Sequence, residues 1–329
     1  MLDLSVKSIQ KDARLFLAAG PTNYIKLTLV FLAVMLGAQL LSGLVTFVTG
    51  LMMQNAGGLS GLGTRTVLNS VDAVAALAVN LLAPLWAIGY THCAIGLARQ
   101  DAMEPQHLTE GFYRFFVILR LALAQAVVYV VVFSLVTNLS SILFMMLPIS
   151  ENALAVAEPY ITDPEAVATM TQADAAAFLR AMWPLMAITA VVAALLLIPL
   201  FYSFRMCNFR IMDNERPGAL LTTMQSRRMM KGNRVALFKL DLSFWWYYGL
   251  ILLIYAAATL PILLLPDLDK NTLTLCCIAI QCVALFFLEY KCMPFVQTSY
   301  AVFYDRLLQY HKSISPKPPV QPTDTAIDG

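Results

Sequence analysis

The sequence predicts an all-α membrane protein, a polytopic helix bundle with six transmembrane helices and amphipathic elbow helices between them. Of the 329 residues, 59% are hydrophobic and 13% are charged, against roughly 45–50% and about 25% in soluble domains. Apolar stretches long enough to cross a bilayer recur along the chain. The 22 basic and 20 acidic residues leave a net charge of +2, which does not favour a nucleic-acid partner.

Six stretches without a charged residue are the predicted spans. They are residues 27–64, 73–98, 121–150, 181–204, 242–266 and 271–288. Each supplies the roughly 20 residues that a helix needs to cross about 30 Å of hydrocarbon. The run 250–258 is apolar on all sides, whereas a strand of a transmembrane barrel alternates apolar and polar residues. The spans are therefore predicted to be helices.

Basic residues predict the orientation of these spans. The N-terminal segment, the second and fourth connections and the C-terminal tail hold 19 Lys and Arg residues, while the opposite side holds only Arg65, Arg180 and Lys270. Basic residues near short loops resist translocation. We therefore expect a multi-pass protein of the cell (plasma) membrane with both termini in the cytoplasm, and we expect no cleaved signal peptide.

The first elbow helix is predicted within residues 2–17. Its apolar residues recur at helical spacing, with Lys7, Lys11 and Arg14 on other faces, and Gly20 and Pro21 follow it as helix stops. This pattern is typical of a basic helix that lies in the plane of the membrane.

Two further elbows are predicted on the same side. One runs from Pro217 to Lys231, is capped by Asp213 or Asn214, and stops at Gly232. The other begins at Pro105 and runs straight into the third span. The fourth connection, which contains the Pro217 elbow, holds eight of the 22 basic residues.

The even-numbered spans resemble one another. Pro84, Pro199 and Pro294 are each followed within about 15 residues by an aromatic residue and then a basic one. We interpret this as three repeats, 1–98, 99–210 and 211–310, within a single integral membrane domain, 1–310; chance placement of prolines and interfacial aromatics is the alternative. Residues 311–329 are predicted to be a disordered cytoplasmic tail.

The outer connection from Pro148 to Arg180 carries several acidic residues, and Asp163-Pro164-Glu165 resembles a helix start. A short helical cap is one interpretation, and capture of a cation or peptide is the other.

Elsewhere the polar residues indicate little chemistry. His92 is isolated and is expected to hydrogen-bond to a neighbouring helix. Glu289 and Lys291 are expected to snorkel or to neutralise each other, and a polar site in the bundle is the alternative.

No catalytic, cofactor-binding or metal-binding motif is found. Cys276, Cys277 and Cys282 lack the spacing of metal ligands and have no histidine nearby. We therefore expect neither an enzyme nor a cofactor.

Three blocks of residues carry a resemblance to a known family. The first contains Gly89-Tyr90, Gly96 to Arg99, Leu108, Gly111-Phe112 and Phe115; the second contains Asp213, the run from Ser226 to Arg234, Leu237-Phe238 and Trp246; the third contains Pro294-Phe295 and Phe303-Tyr304. The chain resembles the bacterial integral membrane family called domain of unknown function 975, found mostly in Gram-positive organisms. The resemblance covers about residues 1–310 and implies a membrane fold, but the function of that family is not established. The long outer loop and Trp245-Trp246, in place of Ile-Gly-Trp, depart from its pattern.

The densest basic run supplies the candidate site. The candidate contacts to anionic lipid or to a partner are Arg227, Arg228, Lys231 and Arg234, and the candidate structural positions are Ser226, Gly232, Asn233, Pro84, Pro199 and Pro294. Basic residues near an anionic leaflet each contribute about 1 kcal/mol of binding. An anchor that only determines topology is the alternative for this run. For the whole protein we expect a non-catalytic role in organising membrane lipids or an unidentified membrane protein partner; a permease or transporter subunit is the alternative, and a lipid-active enzyme is disfavoured.

Overall fold

The computed structural model describes residues 4–20, 23–55, 60–162, 171–214, 218–264 and 270–314, and every regular element in these ranges is helical. The helices, numbered here in chain order, are α1 Val6–Ala19, α2 Tyr24–Asn55, α3 Ser60–Ala98, α4 Glu110–Tyr113, α5 Phe115–Met145, α6 Ser150–Thr162, α7 Gln172–Phe204, α8 Cys207–Asp213, α9 Ala219–Met230, α10 Arg234–Ser243, α11 Trp245–Leu264 and α12 Lys270–Ile314. A 3-10 helix, Pro105–Thr109, precedes α4. The predicted all-α class is confirmed.

Five helical stretches in the described ranges are long and apolar enough to cross a membrane: Tyr24–Met52, Thr66–Ala98, Phe115–Met145, Ala173–Asp213 and Cys277–His311. A sixth crossing is obtained if α10 and α11, which meet at a 55° bend, are counted as one broken span. Many large apolar side chains on these helices are exposed, as expected for surfaces that face lipid. The chain is therefore a multi-pass membrane protein with five to six spans, in agreement with the predicted bundle.

Contacts group the chain into two compact units. One contains residues 1–118 and 206–329, and the other contains residues 119–205. In the second unit α6 packs against α7, with the rings of Tyr160 and Phe178 5.8 Å apart.

The three repeats stay a prediction, because grouping helices by proximity does not test their sequence similarity. Residues 315–329 of the predicted tail, and the predicted helix start at 163–165, lie outside the described residues.

The core of the first unit is built from the C-terminal halves of α3 and α12. Buried residues concentrate after Pro84 in α3 and after Pro294 in α12, whereas the described residues before these prolines in the two helices are mostly exposed or half-buried. Tyr90 is fully buried; its ring packs 4.7 Å from that of Phe31 and its hydroxyl lies 2.7 Å from that of Thr28. Each of these two helices thus has an exposed apolar part and a part buried within protein.

The first two elbows are confirmed as helices. Gly20 follows α1, and its backbone N–H donates to the carbonyl of Phe16; Pro21 and Pro217 lie outside the described residues. In the second elbow, α9, the predicted cap is wrong. Gly218 occupies the N-cap position, while Asp213 is the last residue of α8 and its carboxylate binds two arginines.

The third elbow does not run straight into the span. The chain forms the 3-10 helix and one turn of α4, breaks at Arg114, and only then begins α5. The backbone before this break lies very close to α3: a Cβ atom on Gly89 would lie 1.9 Å from the carbonyl oxygen of Leu108, and one on Gly111 would lie 2.1 Å from that of Leu85. Two glycines therefore allow this segment to lie directly on α3.

Candidate basic surface

Helix α9 presents a polar and an apolar part along one exposed face. Thr222, Ser226, Met229 and Met230 are buried on the inner side. Leu220, Leu221 and Met224 are exposed on the outer side, and Arg227, Arg228 and Lys231 continue the same face toward the C-terminus. Helix α9 therefore has a buried side and an exposed side, and the exposed side is apolar near the N-terminus and basic near the C-terminus.

A sharp turn after α9 brings the fourth basic residue back to the other three. Gly232 has φ = +86°, a left-handed conformation that is costly for residues with a Cβ atom. The Asn233 side chain donates to the carbonyl of Met229 at 3.0 Å, and α10 then begins at Arg234. As a result Arg227, Arg228, Lys231, Gly232, Arg234 and Val235 line one open concavity of about 630 Å³.

We call Arg227, Arg228, Lys231 and Arg234 the basic surface. None of the four has an acidic partner within 4.0 Å among the described residues. Arg234 Nε is buried and lacks a hydrogen-bond partner in the described part of the chain. Two acids of the same connection are engaged elsewhere: Asp213 by Arg99, and Asp241 by the Tyr300 hydroxyl, which donates to it at 2.5 Å. The surface therefore concentrates positive charge that the described residues do not neutralise.

A second cluster of arginines in the same unit is arranged differently. Arg99 Nη1 lies 2.6 Å from Asp213 Oδ1, and Arg99 Nε lies 3.1 Å from Asp305 Oδ1. Arg210 Nη1 reaches Asp213 Oδ2 at 3.4 Å, and the Tyr304 hydroxyl donates to the same oxygen at 2.8 Å. We call these five residues the Asp213 network. It joins the end of α3, the end of α8 and the second half of α12.

The electrostatics of Arg99 follow from this pairing. Burial lowers the pKa of Arg99, but the hydrogen bonds and negative charges of Asp213 and Asp305 outweigh it and raise that pKa above its ordinary value. Sequence reasoning missed the network. The available signal was that Arg99 and Asp213, two oppositely charged residues, both stand in the blocks quoted for the family resemblance.

The structural positions predicted from the sequence lie in several places. Ser226 is fully buried in α9, and Gly232 and Asn233 form the turn. Pro84, Pro199 and Pro294 lie inside α3, α7 and α12, and none of them lines the concavity at the basic surface.

Two polar residues outside the basic surface have specific outcomes. His92 Nδ1 is buried without a hydrogen-bond partner among residues that the structure describes, so this atom does not make the hydrogen bond that His92 was expected to form with a neighbouring helix. The centre of its ring lies 6.3 Å from that of the His107 ring. Glu289 accepts a hydrogen bond from the Tyr247 hydroxyl at 2.7 Å and so links α11 to α12. Within the described ranges no group of three or more His, Cys, Asp or Glu side chains is placed to hold a metal ion.

Comparisons with known proteins give one match. No curated protein and no solved structure matches the chain. A family model described as "Protein of unknown function (DUF975)" matches residues 4–311.

Proposed function

The chain belongs to the DUF975 family, and we propose that this member is a non-catalytic protein of the cell membrane that binds anionic lipid headgroups at the basic surface. Both termini are cytoplasmic in this proposal, because 19 of the 22 basic residues then lie on the inner side. The basic surface would face the anionic inner leaflet.

One observation carries the proposal: four cations line one concavity and have no acidic partner among the described residues. At about 1 kcal/mol for each basic residue near an anionic leaflet, four residues provide up to about 4 kcal/mol at low salt. Salt screens this attraction. A topological anchor alone needs fewer charges and does not need them to converge.

The neighbouring apolar side chains support a lipid ligand. Leu220 is 72% exposed on α9, and Val235 and Phe238 are exposed on α10. Exposed apolar residues beside Lys and Arg are typical of helices that rest at the boundary between headgroups and acyl chains. The basic residues can then bind phosphate oxygens while the apolar ones enter the hydrocarbon.

The experiment compares wild type with the variant R227Q/R228Q/K231Q/R234Q in nanodiscs with and without anionic lipid. Anionic lipid should raise the thermal unfolding temperature of the wild type and have little effect on the variant. A matched variant, K26Q/R120Q/K239Q/K291Q, removes four exposed charges that lie outside the concavity and should retain the gain. Labelling of an introduced cysteine verifies that the orientation is unchanged.

Equal gains in wild type and in the first variant would refute lipid binding at this surface and would leave the anchor interpretation standing. Equal losses in both variants would show that total charge, and not the concavity, is responsible. Solute-dependent transport in vesicles would instead favour the permease alternative.

A further inference from the structure

We propose that the outer face of α1 is a second surface that binds the anionic leaflet of the membrane in which α2 is embedded. It uses residues different from those of the proposed function and is tested separately from it.

Helix α1 separates a protein-facing side from a charged side. Ile9 and Ala13 are fully buried on the inner side. On the opposite side Lys7, Lys11 and Arg14 are exposed. Together with Gln10, Leu15 and Ala18 they line an open concavity of about 510 Å³.

Polar contacts hold α1 against the rest of its unit. Arg306 of α12 forms an ion pair with Asp12 and donates to the Ser8 hydroxyl at 2.9 Å. Gln10 Nε2 donates to the Ser243 hydroxyl of α10 at 2.9 Å. The carboxylate of Asp12 is thus used on the inner side, and it does not neutralise the lysines of the outer side.

The outer cations remain available to an anion. Lys7, Lys11 and Arg14 have no acidic partner among the residues that the structure describes. The Arg14 guanidinium lies 5.3 Å from the centre of the Phe295 ring, a contact that orients the group and leaves its charge in place. Leu15, which lines the same concavity, is 54% exposed, so the face combines positive charge with an apolar side chain.

Chain connectivity identifies the occupant as the leaflet. Only four residues separate Ala19, the end of α1, from Tyr24, the start of the first span. The five Cα–Cα steps from Ala19 to Tyr24 extend at most about 18 Å, so the end of α1 stays close to the point where α2 enters the membrane. Ile25 and Leu29, in the first turns of α2, are exposed, as expected if lipid begins there. A lipid surface is therefore within reach of the outer face.

Photolabelling in nanodiscs tests this proposal. One preparation contains a photoreactive phosphatidylglycerol and another contains a photoreactive phosphatidylcholine, and labelled peptides are identified by mass spectrometry. In the wild type, phosphatidylglycerol should label the α1 peptide more than phosphatidylcholine does. In K7Q/K11Q/R14Q, labelling of α1 by phosphatidylglycerol should fall about tenfold at low salt, while labelling of the peptide that carries the basic surface persists. R227Q/R228Q/K231Q/R234Q should give the reverse pattern.

The two surfaces can fail independently. Equal labelling of α1 by both lipids, or unchanged labelling in K7Q/K11Q/R14Q, overturns the α1 proposal, whatever happens at the basic surface. If the triple variant does not fold, wild type at high salt and the single variant K11Q replace it. Loss of α1 labelling as salt rises supports the proposal, and labelling that is insensitive both to salt and to K11Q contradicts it.

Discussion

The Asp213 network and the basic surface lie in the same unit, and both are rich in arginine. In the network, Arg99 and Arg210 converge on one carboxylate whose side chain is 9% exposed. At the basic surface, four cations converge on a concavity without an acid among the described residues. Arginine in the first cluster holds helices together, and in the second it has charge left to bind a ligand. The distinction depends on the partner of each residue and not on its type.

The largest effect is expected where pairing is broken. Asp213→Asn leaves Arg99 and Arg210 without their shared carboxylate. We expect the free energy of unfolding to fall by about 2–3 kcal/mol, less than for a fully buried pair because water screens the partly exposed Arg99. Thermal or denaturant unfolding in detergent measures it. Arg228→Gln is the matched contrast: it removes one exposed charge and should change stability by less than about 0.5 kcal/mol. Equal losses in the two variants would contradict the comparison.

The next effect concerns backbone packing elsewhere in the same unit and involves no charge. Gly89→Ala places a methyl group against the carbonyl of Leu108. It should lower the free energy of unfolding by about 1–3 kcal/mol, because backbone on both sides resists displacement. Gly249→Ala is the control, since a Cβ atom there meets nothing within 4 Å, and it should be neutral or stabilising by up to about 1 kcal/mol through helix propensity. A loss in Gly249→Ala as large as in Gly89→Ala would refute the steric explanation.

The smallest effect is expected at the basic surface, in the turn at Gly232 that brings Arg234 beside the other cations. Gly232→Ala meets no steric obstacle, but it must adopt the left-handed conformation, at a cost of roughly 1–2 kcal/mol. Relaxation of the turn should also move Arg234 away from the other cations and reduce the stabilisation by anionic lipid in nanodiscs. Gly232→Asn should retain more of both, because asparagine tolerates this conformation better than alanine. If wild type, Gly232→Ala and Gly232→Asn gain equal stability from anionic lipid, the turn does not hold the four cations of the basic surface together.

Local features of the structure could be predicted from the sequence. The all-α class, the elbows α1 and α9, the stop at Gly20 and the turn at Gly232 follow from hydropathy, helical spacing and glycine placement. The convergence of Arg227, Arg228 and Lys231 also follows, since residues three or four positions apart share a helix face.

Contacts between distant segments could not be predicted in this way. Arg99 and Asp213 are 114 positions apart, and helical periodicity does not indicate which helix ends meet. The bend between α10 and α11 has a similar origin. Phe244 lies at the bend, is fully buried, and packs 5.7 Å from the Phe295 ring and 6.0 Å from the Tyr300 ring, both on α12. Burial of this ring in the core turns the chain where hydropathy predicts a continuous span from residue 242.

The length of α12 means that one helix is stabilised in two solvents. Its 45 residues extend about 67 Å along the axis, more than twice the roughly 30 Å of a hydrocarbon core. The exposed apolar part has lipid as its solvent, whereas the part after Pro294 is buried among other protein segments and includes the fully buried Phe303 and Tyr304. Bilayer thickness therefore acts on the first part, and denaturants that solvate protein interiors act on the second. We therefore expect the two parts of α12 to respond to different agents.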